Sequence, residues 1–162
     1  MVRCMLILLL SATWIAAGCP SWLMEDSART MLTYHFFHAN FFHLAVNCLA
    51  IWCMFPPKRK GNLAQLAAGL AISVLVFPFH VRPIVGISNM IFAVAGMRTP
   101  PFSSPWWRSQ NAVVYIGTMF LMLALPQFSA VTHIVSFAAG ILTACAARHY
   151  KKIRAYADRY IR

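Results

Sequence analysis

The chain has 162 residues, 60% of them hydrophobic and only 10% charged, with a mean hydropathy of +0.66. A soluble domain this small leaves too much of its surface in water to hide that apolar content, so the composition excludes an ordinary globular protein and points to a polytopic membrane protein. The net charge of +11 suggests nucleic acid as a partner, but the basic residues punctuate apolar runs instead of gathering into a phosphate-binding patch, which argues against it.

Six hydrophobic segments follow one another, at about 4–19, 35–54, 62–79, 84–97, 111–125 and 129–147. At about 1.5 Å per helical residue, most can cross a hydrocarbon core about 30 Å thick. The expected fold is all-α: a single domain over 1–162, built as a bundle of six transmembrane helices with a basic tail at 148–162. An even number of crossings returns both termini to one side. With that side cytoplasmic, Arg3, Lys58, Arg59, Lys60, Arg98, Arg108, Arg148, Lys151, Lys152, Arg154, Arg159 and Arg162 lie inside, and only Arg29 and Arg82 lie outside. Such a bias is the one the positive-inside rule describes. A multi-pass protein of a bacterial inner membrane, both ends cytoplasmic, is the expected location.

The first segment, "MVRCMLILLLSATWIAAGC", also fits a cleaved lipoprotein signal ending before Cys19, which would remove one crossing. The five cysteines are scattered, form no C-x-x-C and are assigned no chemistry. In the tail, Tyr150, Ile153, Ala157 and Tyr160 recur at helical spacing among basic residues, as in a helix drawn to anionic lipid or in a plain solvated one.

Ionisable groups within a bilayer are costly, so each is a functional candidate. The only acids are Glu25 and Asp26 in the first outer loop and Asp158 in the tail. No carboxylate falls in a span, which excludes paired-aspartate proteolysis, H-E-x-x-H zinc chemistry and carboxylate proton relays. The spans hold histidine, serine and asparagine instead. On the second, His43 and Asn47 are spaced i, i+4 and share a face, whereas His38 points elsewhere. The fourth brings Ser88 just inside its outer end, and the sixth brings His133 within its first turns. Three separate spans thus deliver polar side chains to one depth, which unrelated packing residues have no reason to do.

The fourth segment is also short. Between Pro83 and Arg98 it offers about 21 Å of helix, so among longer neighbours it would start below the outer surface, beneath a wet depression. Ala93 and Gly96 follow Ser88, while Ser136, Gly140 and Ala144 follow His133. Small residues at such spacing let helix backbones approach closely in lipid, as a serine–histidine contact requires.

The run "HANFFHLAVN" (38–47) resembles the H-x-x-x-x-H-x-x-x-N signature of the rhomboid intramembrane serine proteases. "GISNMIFAVAG" (86–96) is similar to their G-x-S-G-x-x-[FY]-x-x-x-G segment, and "AVTHIVSFAAG" (130–140) to their A-x-x-H-x-x-G-x-x-x-G helix. The resemblance implies Ser88 as nucleophile and His133 as general base. It implies an oxyanion hole of His43, Asn47 and the Ser88 amide, a structural part for His38, and Gly86 and Phe92 beside the site. Its substrates would be transmembrane segments of other proteins, cut near the membrane surface. Three departures stand out. Asn89 replaces the glycine after the serine and adds bulk beside the oxyanion site, Ser136 replaces a glycine after the histidine, and the outer loop at about 20–34 is short.

Histidine can take the serine proton near neutral pH, and with no acid in the spans the catalyst would be a dyad needing neither cofactor nor metal. Phe92, one turn below Ser88, is placed to hold the imidazole. Taken singly, Ser88 is more simply a packing residue, and His35, His80 and His149 are more simply helix-end residues facing headgroups or backbone carbonyls. Asn40 is more simply solvated. Two other classes compete: a catalytically inactive rhomboid-like protein that binds membrane clients, which Asn89 favours, and a metal protein or transporter using His38 and His43.

Overall fold

The computed structural model describes residues 2–24, 27–57, 61–80, 85–99 and 130–160, and every regular element among them is helical. In chain order these are α1 (Val2–Ala17), a 3₁₀ turn (Ser21–Met24), α2 (Ala28–Thr33), a second 3₁₀ turn (Tyr34–Phe36), α3 (Phe41–Met54), α4 (Asn62–Val76), a third 3₁₀ turn (Phe77–Phe79), α5 (Ser88–Arg98) and α6 (Ala130–Tyr160). The fifth hydrophobic segment, at 111–125, lies outside the described residues.

Local chemistry sets the breaks. Ser27 caps α2, its hydroxyl accepting the Thr30 N–H at 3.1 Å. Asn40 caps α3, its side-chain oxygen accepting the His43 N–H at 2.8 Å. The second segment is therefore not the single helix expected over 35–54. It is a bent pair, α2 with its 3₁₀ turn against α3, at 73°. Asn40 competes for its own helix's first amides and stops the upstream turn from running through. Length and composition qualify two helices as membrane crossings among the described residues, Asn62–Phe79 and Ala130–Arg159, or three if the bent pair counts as one. Six were expected. One of them, at 111–125, lies outside the described residues, and α1, α3 and α5 fall short in length, with 16, 14 and 11 residues, about 24, 21 and 16 Å of helix.

The chain runs up and down between two polar ends. At one, Arg3 of α1 lies over the Trp52 ring of α3, 3.6 Å from its centroid. There too, Arg98 at the end of α5 donates to Gln65 Oε1 at 2.8 and 2.7 Å and to Asn62 Oδ1 at 3.2 Å. Asn62 in turn donates to the Pro56 carbonyl at 2.8 Å. The opposite end carries the starts of α3, α5 and α6. There Thr13 of α1 donates to the Phe36 carbonyl at 2.8 Å.

Helix α5 is the axis of the bundle. It has 11 residues, about 16 Å, and every one from Ser88 to Gly96 is buried. It packs most extensively on α6, then on α4 and α3. A Cβ on Gly96 would run into the Phe137 carbonyl of α6, and one on Gly140 into the Ala93 carbonyl of α5. The two backbones touch through paired glycines. Gly69 of α4 meets α5 similarly, where a Cβ would lie 2.8 Å from Val94 Cγ2. With Gly140 its only glycine and no proline, α6 continues for 31 residues, about 46 Å, so the sixth segment and the basic tail form one helix.

Replacing Gly140 by leucine sets a side chain against backbone that cannot rotate away. Stability in detergent or bicelles is expected to fall by about 3 kcal/mol or more. Leu142→Ala on the exposed side of the same helix should stay within about 0.5 kcal/mol. Unfolding followed by circular dichroism compares the two, and equal effects would contradict the paired-glycine contact.

Candidate active site

Helix α5 starts at Ser88 itself, after a turn in which Gly86 adopts φ +98°, a conformation that side chains disfavour. The Ser88 amide is thus among the first helical N–H groups, which have no partner within the helix. The Ser88 hydroxyl lies 2.8 Å from His133 Nε2 on the first turn of α6. Both residues are buried, at 6% and 3% exposure, so the contact forms away from competing solvent. If Nε2 accepts the serine proton, the neutral imidazole carries its hydrogen on Nδ1, which is buried with no partner among the described residues. Among the described residues no carboxylate partners the ring. Phe92, one turn along α5, lies against it with ring centroids 4.8 Å apart.

His43 and Asn47 reach the same place from α3. They flank Gly86, where a Cβ would come within 2.8 Å of His43 Cε1, 3.0 Å of His43 Nε2 and 3.2 Å of Asn47 Nδ2. Only a residue without a side chain fits that approach. The Asn47 amide nitrogen is buried and has no acceptor among the described residues. An unmet buried donor costs about 1–3 kcal/mol.

His38 differs from expectation. The break at 37–40 turns the chain, so the ring does not point elsewhere but stands edge-on to His43, centroids 5.2 Å apart. It is fully buried, and neither nitrogen has a partner among the described residues. Among the described residues its ring contact is with its own segment's histidine. His35 is no headgroup residue either: it is buried, and its Nε2 lies 2.8 Å from Ser73 Oγ of α4. Asn40 is a helix cap. His80 does meet a backbone carbonyl, that of Phe77. Ser136 is fully buried, its hydroxyl without a partner among the described residues, taking up space on the α6 face that meets α5.

Asn89 is buried, and its Nδ2 donates to the Tyr34 hydroxyl at 3.2 Å. The side chain expected to add bulk beside the oxyanion site is thus taken up by Tyr34. Neither Tyr34 nor Ser73 stands out in the sequence, since nothing local signals a partner 55 residues along the chain. Among the described residues, no group of three His, Cys, Asp or Glu side chains is gathered as a metal would require, and His38 and His43 stand as a pair.

The Rhomboid domain family matches residues 25–150, most of the chain, and the chain belongs to the rhomboid family. Its apolar helices and that membership make it an integral membrane protein, either an intramembrane protease or an inactive homologue of one. Neither a curated protein nor a solved structure matches the chain.

Alanine at position 86 is strained by the left-handed backbone and meets His43. Gly86→Ala is expected to lower stability by about 1–2 kcal/mol, measured by thermal unfolding in bicelles. An unchanged midpoint would contradict the tight approach of α3 to this turn.

Proposed function

We propose that this chain is an active intramembrane serine protease that cleaves transmembrane segments of other proteins. The observation that carries the proposal is the 2.8 Å contact between Ser88 Oγ and His133 Nε2, from residues 45 apart in the chain. In this mechanism His133 Nε2 takes the Ser88 proton as Oγ attacks the substrate carbonyl carbon, giving a tetrahedral oxyanion. As the C–N bond breaks, His133 passes that proton to the leaving amine. Water, deprotonated by His133, then hydrolyses the acyl-serine.

The developing oxyanion needs donors fixed in advance, because preorganised dipoles in a water-poor site give the largest stabilisation. The Ser88 amide at the start of α5, the Asn47 amide and the His43 ring are the candidates, and the helix dipole adds to their effect. The unpartnered Asn47 nitrogen supports this role. With no carboxylate beside Nδ1 of His133 among the described residues, the imidazolium formed during attack is not offset by a buried charge. Turnover is accordingly slow compared with a Ser-His-Asp triad. His38 supports the site by packing against His43.

The basic residues at the Arg3–Arg98 end favour a cytoplasmic position for that end. The starts of α3, α5 and α6 then face the other side of a bacterial inner membrane. Substrates reach the dyad from the bilayer, and neither a cofactor nor nucleic acid takes part.

Ser88→Ala and His133→Ala are each expected to abolish cleavage of a single-span reporter carrying small residues near its outer end, with expression retained. Asn47→Ala should lower the rate by about 10²–10³-fold. Reporter cleavage followed by gel electrophoresis measures all three. Persistent cleavage by either dyad variant would reject the mechanism, no cleavage by the unaltered chain would favour a client-binding homologue, and an unaltered rate in Asn47→Ala would remove that residue from the oxyanion site.

A further inference from the structure

The asparagine after Ser88 has a built environment. Tyr34 Oη has one proton and gives it to the Ser73 carbonyl at 2.9 Å. Its oxygen must therefore accept from Asn89, which fixes the amide with Nδ2 toward Tyr34 at 3.2 Å. The same Tyr34 uses its main-chain carbonyl to accept the Gly86 N–H at 2.9 Å. Gly86 lies two residues before Ser88 and Asn89 one after it, so a single residue grips the serine turn on both flanks.

The anchor is itself anchored. Ser73 Oγ donates to the Leu70 carbonyl at 2.9 Å, which leaves it to accept from His35 Nε2 at 2.8 Å. The Tyr34 ring is fully buried among Leu23 and Phe77. Each donor and acceptor in the sequence Asn89, Tyr34, Ser73 polarises the next, as hydrogen-bond chains in a low-dielectric interior do.

We propose that Tyr34 and Asn89 act as a pair of positioning residues that hold Ser88 in register with His133. This rests on Ser88 being the nucleophile. A glycine at position 89 would leave the turn without a side-chain restraint, and asparagine ties it to α4 through Tyr34. The exchange thus serves reactivity, since small displacements of a nucleophile from its attack geometry are costly in rate.

The test compares the full chain in lipid bicelles with Tyr34→Phe, Asn89→Ala and the double variant. The readouts are kcat and KM on the single-span reporter, and hydrogen exchange of the peptide covering 85–92. Tyr34→Phe removes only the hydroxyl and keeps the Gly86 bond. It is expected to lower kcat about tenfold with KM within about twofold, and to speed exchange at 85–92 while α6 is unchanged. In the Asn89→Ala background the same substitution should cost less than about threefold, because its partner is already gone. Additive losses overturn the proposal, as do unaltered kcat and exchange in Tyr34→Phe. Exchange that rises equally in all helices also overturns it, because Tyr34 then merely supports the fold. If the unaltered chain cleaves nothing, local loosening at 85–92 upholds the tether and only the nucleophile assignment falls, whereas unaltered exchange overturns the tether as well.

Discussion

The meeting of α5 and α6 at two glycines is the constraint on which the site depends. Gly96 faces the Phe137 carbonyl and Gly140 the Ala93 carbonyl, leaving no volume for a side chain between the two backbones. Within lipid no hydrophobic force draws helices together, so close packing and interhelical hydrogen bonds must do so. Gly96 follows Ser88, and Gly140 follows His133, by about two turns. The backbone contact therefore lies at nearly matching depth below both members of the pair, and it sets the separation across which the hydroxyl and the imidazole can bond.

The two ends of the bundle handle polar groups differently. At the Arg3–Arg98 end most long side chains find partners, Arg98 on Gln65 and Asn62 and Asn62 on the Pro56 carbonyl, and only Arg3 Nε is buried with none among the described residues. At the Ser88 end, atoms of His38, Asn47 and His133 are buried with no partner among the described residues. Native structures satisfy nearly all buried polar atoms, so exceptions gathered in one place call for a cause. In the proposed mechanism, groups awaiting a substrate carbonyl supply one. The proposed tether at Tyr34 and Asn89 spends its hydrogen bonds on geometry instead.

How much was legible in the sequence depends on whether the determining chemistry was local. The shortness of α5 could be read from Pro83 and Arg98, and its close approach to α6 from small residues at helical spacing. The shared depth of Ser88, His133, His43 and Asn47 followed from the order of the apolar runs. The break at 37–40 was missed because hydropathy is continuous there, and the stop comes from Asn40 capping a new helix. That break is what turns His38 back onto His43. The Asn89–Tyr34–Ser73 chain was invisible for another reason: its members lie on three different elements. Bulk at position 89 was evident, but the direction it takes is a property of the tertiary fold.

Exposure of the intact protein in bicelles to a fluorophosphonate, with the adduct located by peptide mass spectrometry, tests the pairing of Ser88 with His133 most directly. A single adduct on Ser88 that disappears in His133→Ala is the predicted result. No adduct on Ser88 in the unaltered chain, or one that persists undiminished in His133→Ala, would contradict it.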